Sequence, residues 1–259
     1  MSSSLLTQVG MLARRSVVRT LRQPAMVVPS LVFPILLLSI NSSGLDSATR
    51  LPGFPTDSYF QFALAIAFVQ GALFSANSAG TNIANDIESG FLNRLSLTPL
   101  RRVALMLGQL AGIVALGAIQ AITFLLVGVA FGAGFASGVA GAVVIVLFSL
   151  LISLGFGLVG AFVALRTGSG EAVQGVFPLF FAALFLSSMA LPRDLIESDW
   201  FRTVADWNPV SYMLEAIRSL MIVGWDGEAL ALGFACAGGV ALLALIGSAS
   251  ALRTRMVRT

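Results

Sequence analysis

Residues 138–165 read GVAGAVVIVLFSLLISLGFGLVGAFVAL, 28 positions without one charged side chain. Coiled as a helix at 1.5 Å per residue, this stretch is about 42 Å long, more than the roughly 30 Å of a bilayer's hydrocarbon core. Lipid offers no partner to backbone N–H and C=O groups, so an apolar run of this length is read as a helix that bonds to itself. The rest of the chain supports a membrane setting. Only 10% of the 259 residues are charged and 57% are hydrophobic, against about 25% charged in a soluble domain.

Five more apolar runs flank this one, at 25–40, 59–82, 103–129, 172–191 and 230–252. The first is short for a span and is extended by 41–44 at its outer end. The run at 172–191 is punctuated by Pro178, which a membrane helix tolerates where neighbours satisfy the freed carbonyl. Residues 131–137, rich in Gly and Ala, make a tight turn between the third and fourth runs. Ahead of them all, residues 5–22 form an amphipathic helix. Leu6, Val9, Ala13 and Val17 share one face, while Gln8, Arg15, Arg19 and Arg22 share the other, so the helix lies along the membrane surface. Pro24 ends it. No small-x-small site follows this basic start, so it is not read as a signal peptide. The expectation is an all-α integral membrane protein with six transmembrane helices in one domain over residues 1–259.

Six spans put both termini on one side, and arginine decides which. With cytoplasmic termini, eleven of the fifteen basic residues lie inside (Arg14, Arg15, Arg19, Arg22, Arg94, Arg101, Arg102, Arg166, Arg253, Arg255 and Arg258) and four outside (Arg50, Arg193, Arg202 and Arg218). This is the positive-inside pattern. Trp200, Trp207 and Trp225 all fall in the outer segment 192–228, where amphipathic rings suit the interface.

The composition excludes several chemistries. The single cysteine, Cys236, permits no disulfide within the chain, and histidine is absent, so no histidine base or histidine-held metal is available. All basic residues are Arg, and a GxxxxGK[ST] phosphate loop requires its Lys. No cofactor is expected on this chain. The basic balance is accounted for by arginines beside spans, and no nucleic-acid partner is expected.

Two loops carry more than connection needs. Residues 83–102, IANDIESGFLNRLSLTPLRR, set Ile87, Phe91 and Leu95 four apart, predicting a short helix that docks on a cytoplasmic surface or rests against lipid headgroups. In the outer segment, Asn208 is a good helix cap and Pro209 a good first residue. Val210, Met213, Leu214 and Ile217 then make an apolar face, and Glu215 with Arg218, three apart, are expected to pair. This is a short re-entrant helix, serving as an outer lid or as packing.

These segments resemble type-2 ABC exporter permeases, including the daunorubicin-resistance and lipid or polysaccharide export types. Glu88, Gly90, Leu95, Thr98 and Pro99 match the E-x-G-x(4)-L-x-x-T/S-P stretch of that family. Asn208, Pro209, Tyr212 and Arg218 match the N-P-x-x-(Y/F) segment before its final span. The loop departs from the family in beginning Asn85-Asp86-Ile87-Glu88, where many members have a more basic start. The resemblance implies a multi-pass protein of a bacterial plasma membrane. It also implies two copies of a cytoplasmic ATP-binding subunit, which hold the ATP and Mg, and a second permease, identical or related. On this reading Asp86, Glu88, Gly90, Phe91, Arg94, Leu95, Pro99 and Arg101 serve coupling to the ATPase, with residues 5–22 as a connecting helix. Asn208, Pro209, Tyr212, Glu215 and Arg218 form the outer lid.

A substrate path needs polar or aromatic groups facing the bundle interior. On the second run Gln70, Asn77 and Thr81 fall within roughly 40° of one another, with Phe74 beside them. On the fifth, Gln174, Pro178, Phe181, Phe185 and Ser188 form a comparable stripe. Each of these residues has an alternative reading as helix-to-helix bonding. Gly108-x-x-x-Gly112 and Gly233-x-x-x-Ala237-x-x-x-Ala241 are read as close-packing positions. The function expected is ATP-driven export of an amphipathic molecule by alternating access, on a chain that is not itself an enzyme. The alternatives are an ion-gradient transporter or channel, which lacks intramembrane acids, and an intramembrane enzyme, which lacks a catalytic pair.

The arginine distribution predicts sidedness. A cysteine at Ser2 or Thr259 should react with an impermeant maleimide only from the cytoplasm, and one at Ser198 only from outside. Labelling of Thr259→Cys from outside intact cells contradicts the arrangement.

Overall fold

The computed structural model describes residues 5–96 and 102–257, and among these residues every regular element is helical. Helix α1 (Leu5–Leu21) leads to α2 (Pro24–Gly44), then α3 (Tyr59–Glu88), α4 (Phe91–Ser96), α5 (Arg102–Ala130) and α6 (Gly138–Thr167). The chain continues through α7 (Gly170–Phe185), α8 (Asp199–Trp207), α9 (Pro209–Arg218) and α10 (Gly227–Val257). Five of these, α2, α3, α5, α6 and α10, are long and apolar enough to cross a bilayer. The sixth predicted span is the shorter α7, 16 residues with Pro178 inside it.

Helix α3 is the axis of the bundle. Most of its length is buried, including Phe62, Leu64, Val69 and Leu73, and it packs on α2, α5, α6 and α7. Small residues set the spacing. At Gly160 of α6, an added Cβ would overlap the Ala76 carbonyl oxygen, and at Gly80 of α3 it would meet Val173 of α7. Gly233 of α10 sits against Ala216 and the Tyr212 carbonyl of α9, as its small-residue pattern predicts.

Gly108 and Gly112 also permit close approach, but the helix they receive is α1: a Cβ at either would meet Leu12 or Ser16. Helix α1 therefore turns its 8-12-16-20 row to the protein, with Gln8 and Thr20 buried, and leaves Leu6 and Met11 exposed. Two arginines of the polar face, Arg15 and Arg19, also point inward to Asp86.

The outer segment folds back. Asn208 starts α9, its Oδ1 accepting from the Val210 N–H at 2.9 Å, with Pro209 as the first helical residue. Val210, Met213, Leu214 and Ile217 are all buried, as their spacing predicts. A π-helical turn, Ser219–Val223, ends the element at Gly224. The 131–137 turn is tied to it, the Ala136 and Ser137 N–H groups donating to the Met221 and Leu220 carbonyls. Trp200, Trp207 and Trp225 are exposed on this side.

Overfilling the α3–α6 seam should cost about 1–3 kcal/mol. Gly160→Ala is predicted to lower the thermal midpoint in detergent by several degrees. Gly239→Ala, where nothing lies within 4 Å of the new Cβ, should leave it unchanged or raise it. An unchanged midpoint for Gly160→Ala contradicts this packing.

Candidate transport path and cytoplasmic coupling site

Helix α3 carries two polar rows about 125° apart around its axis. The first is Gln70, Asn77 and Thr81, with Phe74 beside them. Gln70 is only 1% exposed, and Gln70 Oε1, Asn77 Oδ1 and Thr81 Oγ1 are buried without a hydrogen-bond partner. Desolvated oxygens of this kind cost free energy unless something donates to them. Phe74 joins an aromatic cluster that bridges three helices. Its ring lies 5.9 Å from Phe33 of α2, and 5.4 and 6.2 Å from Phe177 and Phe181 of α7. Phe181 continues to Phe185 at 6.5 Å, and Phe33 and Phe185 are open on the bundle surface. The structure thus brings Phe74, Phe181 and Phe185 together on one face formed by α2, α3 and α7. Phe33 and Phe177 belong to it as well. Phe33 was missed because the first apolar run has no polar residue at a spacing that marks a face.

Gln174 is exposed on α7. Ser188 is not part of the stripe: α7 ends at Phe185, so helical spacing no longer holds three residues later. Ser188 is buried in the outer layer instead, where its N–H donates to Ser211 Oγ at 3.1 Å.

The second row of α3 is Ser75, Ser78, Asn82 and Asp86, lining a crevice of about 40 Å³ against α1 and α5. The sequence reading missed this row, although its 3-4-4 spacing marks one helical face. Asp86, 7% exposed, is no open cytoplasmic group. Its Oδ1 accepts from Arg15 at 2.8 Å and Arg19 at 2.7 Å, and its Oδ2 from Arg15 at 3.1 Å. The Arg15 guanidinium also stacks on the Phe91 ring of α4, 3.8 Å from its centroid. One arginine thereby joins α1, α3 and α4.

The 83–102 loop is not a single helix. Helix α3 runs on through Ile87 to Glu88, and Gly90, with φ +67°, breaks it before α4 begins at Phe91. Ile87 and Phe91 therefore lie on different helices. Positive φ is the reason for glycine here, since nothing lies within 4 Å of a Cβ at this position. Glu88 Oε1 accepts from the Gly170 N–H at 3.3 Å, reaching the start of α7. Arg94 is exposed and donates to the Ser89 carbonyl at 3.4 Å. Pro99 and Arg101 lie outside the described residues, as does the Leu95 side chain.

On the outer side Glu215 and Arg218 do not pair. Glu215 takes a bidentate bridge from Arg193, at 2.8 and 2.7 Å. Arg193 also reaches Asp206 at 3.3 Å and covers the Tyr212 ring at 4.5 Å. Burial works against the Arg193 cation, but Glu215 and Tyr212 outweigh it and raise its pKa above the ordinary arginine value. The Tyr212 hydroxyl donates to the Asp206 carbonyl at 2.8 Å. Arg218 faces the opposite way, into the bundle, and is 6% exposed. It donates to the carbonyls of Phe62 at 3.2 Å, Ser188 at 2.6 Å and Met189 at 2.7 Å, and covers the Phe62 ring at 3.5 Å. Three-residue spacing allowed the Glu215 pair but could not weigh it against carbonyls freed beyond α7. Asn208 Nδ2 donates to two more, Ala183 at 2.6 Å and Leu186 at 3.0 Å. A cleft of about 490 Å³ opens beside this layer, lined by Phe62, Arg193, Asp206, Glu215, Arg218 and Asp226 among others.

Comparison with known proteins gives this arrangement a family. The ABC-2 type transporter family matches residues 7–222. The daunorubicin resistance ABC transporter permease protein DrrB1 of Streptomyces coeruleorubidus is 27% identical over 172 residues, 64% of this chain and 59% of that protein. Putative transport permeases ycf38 of Cyanophora paradoxa and Pyropia yezoensis are each 26% identical, over 82% and 87% of this chain and 73% and 78% of their own lengths. The chain is homologous to these permeases and belongs to the ABC-2 type transporter family, as the multi-pass membrane permease subunit of an ABC transporter.

Proposed function

We propose that this chain is the membrane path of an ATP-driven exporter for an amphipathic organic molecule, drug-like, lipid or glycolipid. The observation that carries the reading is the α2–α3–α7 face. Phe33, Phe74, Phe177, Phe181 and Phe185 sit there beside the unpartnered Gln70, Asn77 and Thr81 oxygens. A surface of rings with a few unsatisfied polar atoms suits a molecule with an apolar body and a hydrogen-bonding group. Those oxygens are enclosed within the chain, whereas the Phe33 and Phe185 rings are exposed; a second permease, identical or related, covers these rings and the substrate passes between the two. The name of DrrB1 supports a drug-like substrate.

Six spans are proposed, α7 being the fifth, with both termini in the cytoplasm of a bacterial cell. ATP and Mg are held by a separate ABC subunit in two copies, docked near the 83–102 loop. Alternating access follows when those subunits close and move α3 and α4. An ion-gradient transporter needs an acid free to titrate within the membrane. Among the described residues, Asp86 is the one acid classed as buried, and two arginines hold it.

The test is substrate-dependent hydrolysis by the copurified ATPase, using daunorubicin and a short-chain fluorescent phospholipid as probes. Phe181→Ala and Asn77→Leu are each predicted to shift half-maximal stimulation by about 5–30-fold for at least one probe, from lost ring or hydrogen-bond energy of about 1–2 kcal/mol. Expression and ATPase copurification should stay near normal. Unchanged stimulation by both probes in both variants makes the stripe packing and defeats the reading.

A further inference from the structure

Helix α7 is hydrogen-bonded to the rest of the protein at its two ends, while its middle packs through the rings of Phe177, Phe180 and Phe181. Of its 16 residues only Val173 and Leu184 are buried. At the outer end Asn208 bonds the Ala183 and Leu186 carbonyls, and Arg218 bonds those of Ser188 and Met189. At the cytoplasmic end the Ser169 hydroxyl caps the Ala172 N–H at 3.3 Å, and Glu88 of α3 takes the Gly170 N–H. Between these pins Pro178 removes the helix bond that would reach the Gln174 carbonyl, leaving a point of easy bending.

We propose that Glu88 is a positioning residue that makes the start of α7 follow the cytoplasmic loop, bending α7 at Pro178 against its fixed outer end. The proposal rests on the reading of this chain as an ATP-driven permease and gives that drive its route to the path. Its basis is division of labour between two neighbouring carboxylates. Asp86 is spent on Arg15 and Arg19 of α1, whereas Glu88, one turn's end later, reaches across to α7. A carboxylate is favoured at a helix N-terminus, where free N–H groups concentrate positive charge. Glu88 is the last residue of α3, so the bond ties the start of α7 to the end of α3 just before Gly90 breaks the helix. The rings displaced by such a bend are Phe181 and Phe185, on the outer side of Pro178 and on the path.

The bond can be removed from either side. Glu88→Ala deletes the acceptor. Gly170→Pro deletes the donor without disturbing α7. Gly170 is the first helical position, where proline is well suited. The preceding Ser169, at φ −126° and ψ 131°, already has the extended backbone that proline requires before it. A Cβ at Gly170 meets nothing nearer than 3.8 Å.

The experiment uses the full chain with its copurified ATPase and Cys236→Ala, and reads maleimide labelling of Phe185→Cys. That residue is about 22 Å along α7 from Gly170. Trapping with ATP and vanadate should change the labelling rate by roughly fivefold in the parent. Glu88→Ala and Gly170→Pro should each bring that ratio close to one, with the ATPase still bound and hydrolysing ATP in Gly170→Pro. Glu88→Gln, which keeps the accepting oxygen, should retain the response. A parent with no response while its ATPase is bound and active overturns the proposal, and so does a full response in Gly170→Pro. If no ATPase copurifies with the parent, the ATP-driven reading falls first and the proposal falls with it.

Discussion

A polar side chain at membrane depth must be bonded by protein, water or a ligand, and the use of α3 follows from that constraint. This helix is buried nearly throughout its spanning length, yet it carries Gln70, Ser75, Asn77, Ser78, Thr81, Asn82 and Asp86. One row is answered in part from within the chain: Ser75 meets Gln120 at 3.2 Å and Asp86 meets two arginines of α1, while Asn82 Oδ1 stays without a partner. The other row is left open beside a bed of phenylalanines. Asp86 fixes α1, which packs beside α5.

The outer layer answers the same constraint with cations and amides. Helix α7 stops after 16 residues and leaves carbonyls that no further helical turn receives. Asn208 and Arg218 occupy them from α9, which is why α9 must fold back into the bundle instead of lying outside it. Hydrogen bonds made by a charged donor are worth about 1.5–3 kcal/mol each. Three from one buried guanidinium make Arg218 a fastening between α3, the segment that follows α7, and α9. A side chain expected to hang on the polar surface of a lid thus organises the interior beneath it.

The architecture was largely legible because long apolar runs have one solution in lipid. The amphipathic start, the long spans, the Asn208-Pro209 helix start and the buried face of α9 all follow from local pattern. What escaped the sequence were pairings between distant elements. Glu215 chose Arg193, 22 residues away, over Arg218 at three, and Asp86 chose α1. Gly108 and Gly112 correctly signalled close approach, but a spacing motif does not name the helix that approaches. Phe74, Phe181 and Phe185 lie together as their stripes predict, whereas Ser188 was lost once α7 ended early.

The central claim is that the open row of α3 faces a path that ATP alternately opens and closes. Its most direct test is aqueous accessibility. In a Cys236→Ala background, Asn77→Cys should react with a membrane-impermeant thiol reagent in one nucleotide state and be protected in the other. Leu73→Cys, at a fully buried position of the same helix, should remain inert in both. Asn77→Cys that stays unreactive in every nucleotide state, with the ATPase bound and hydrolysing, would contradict the account.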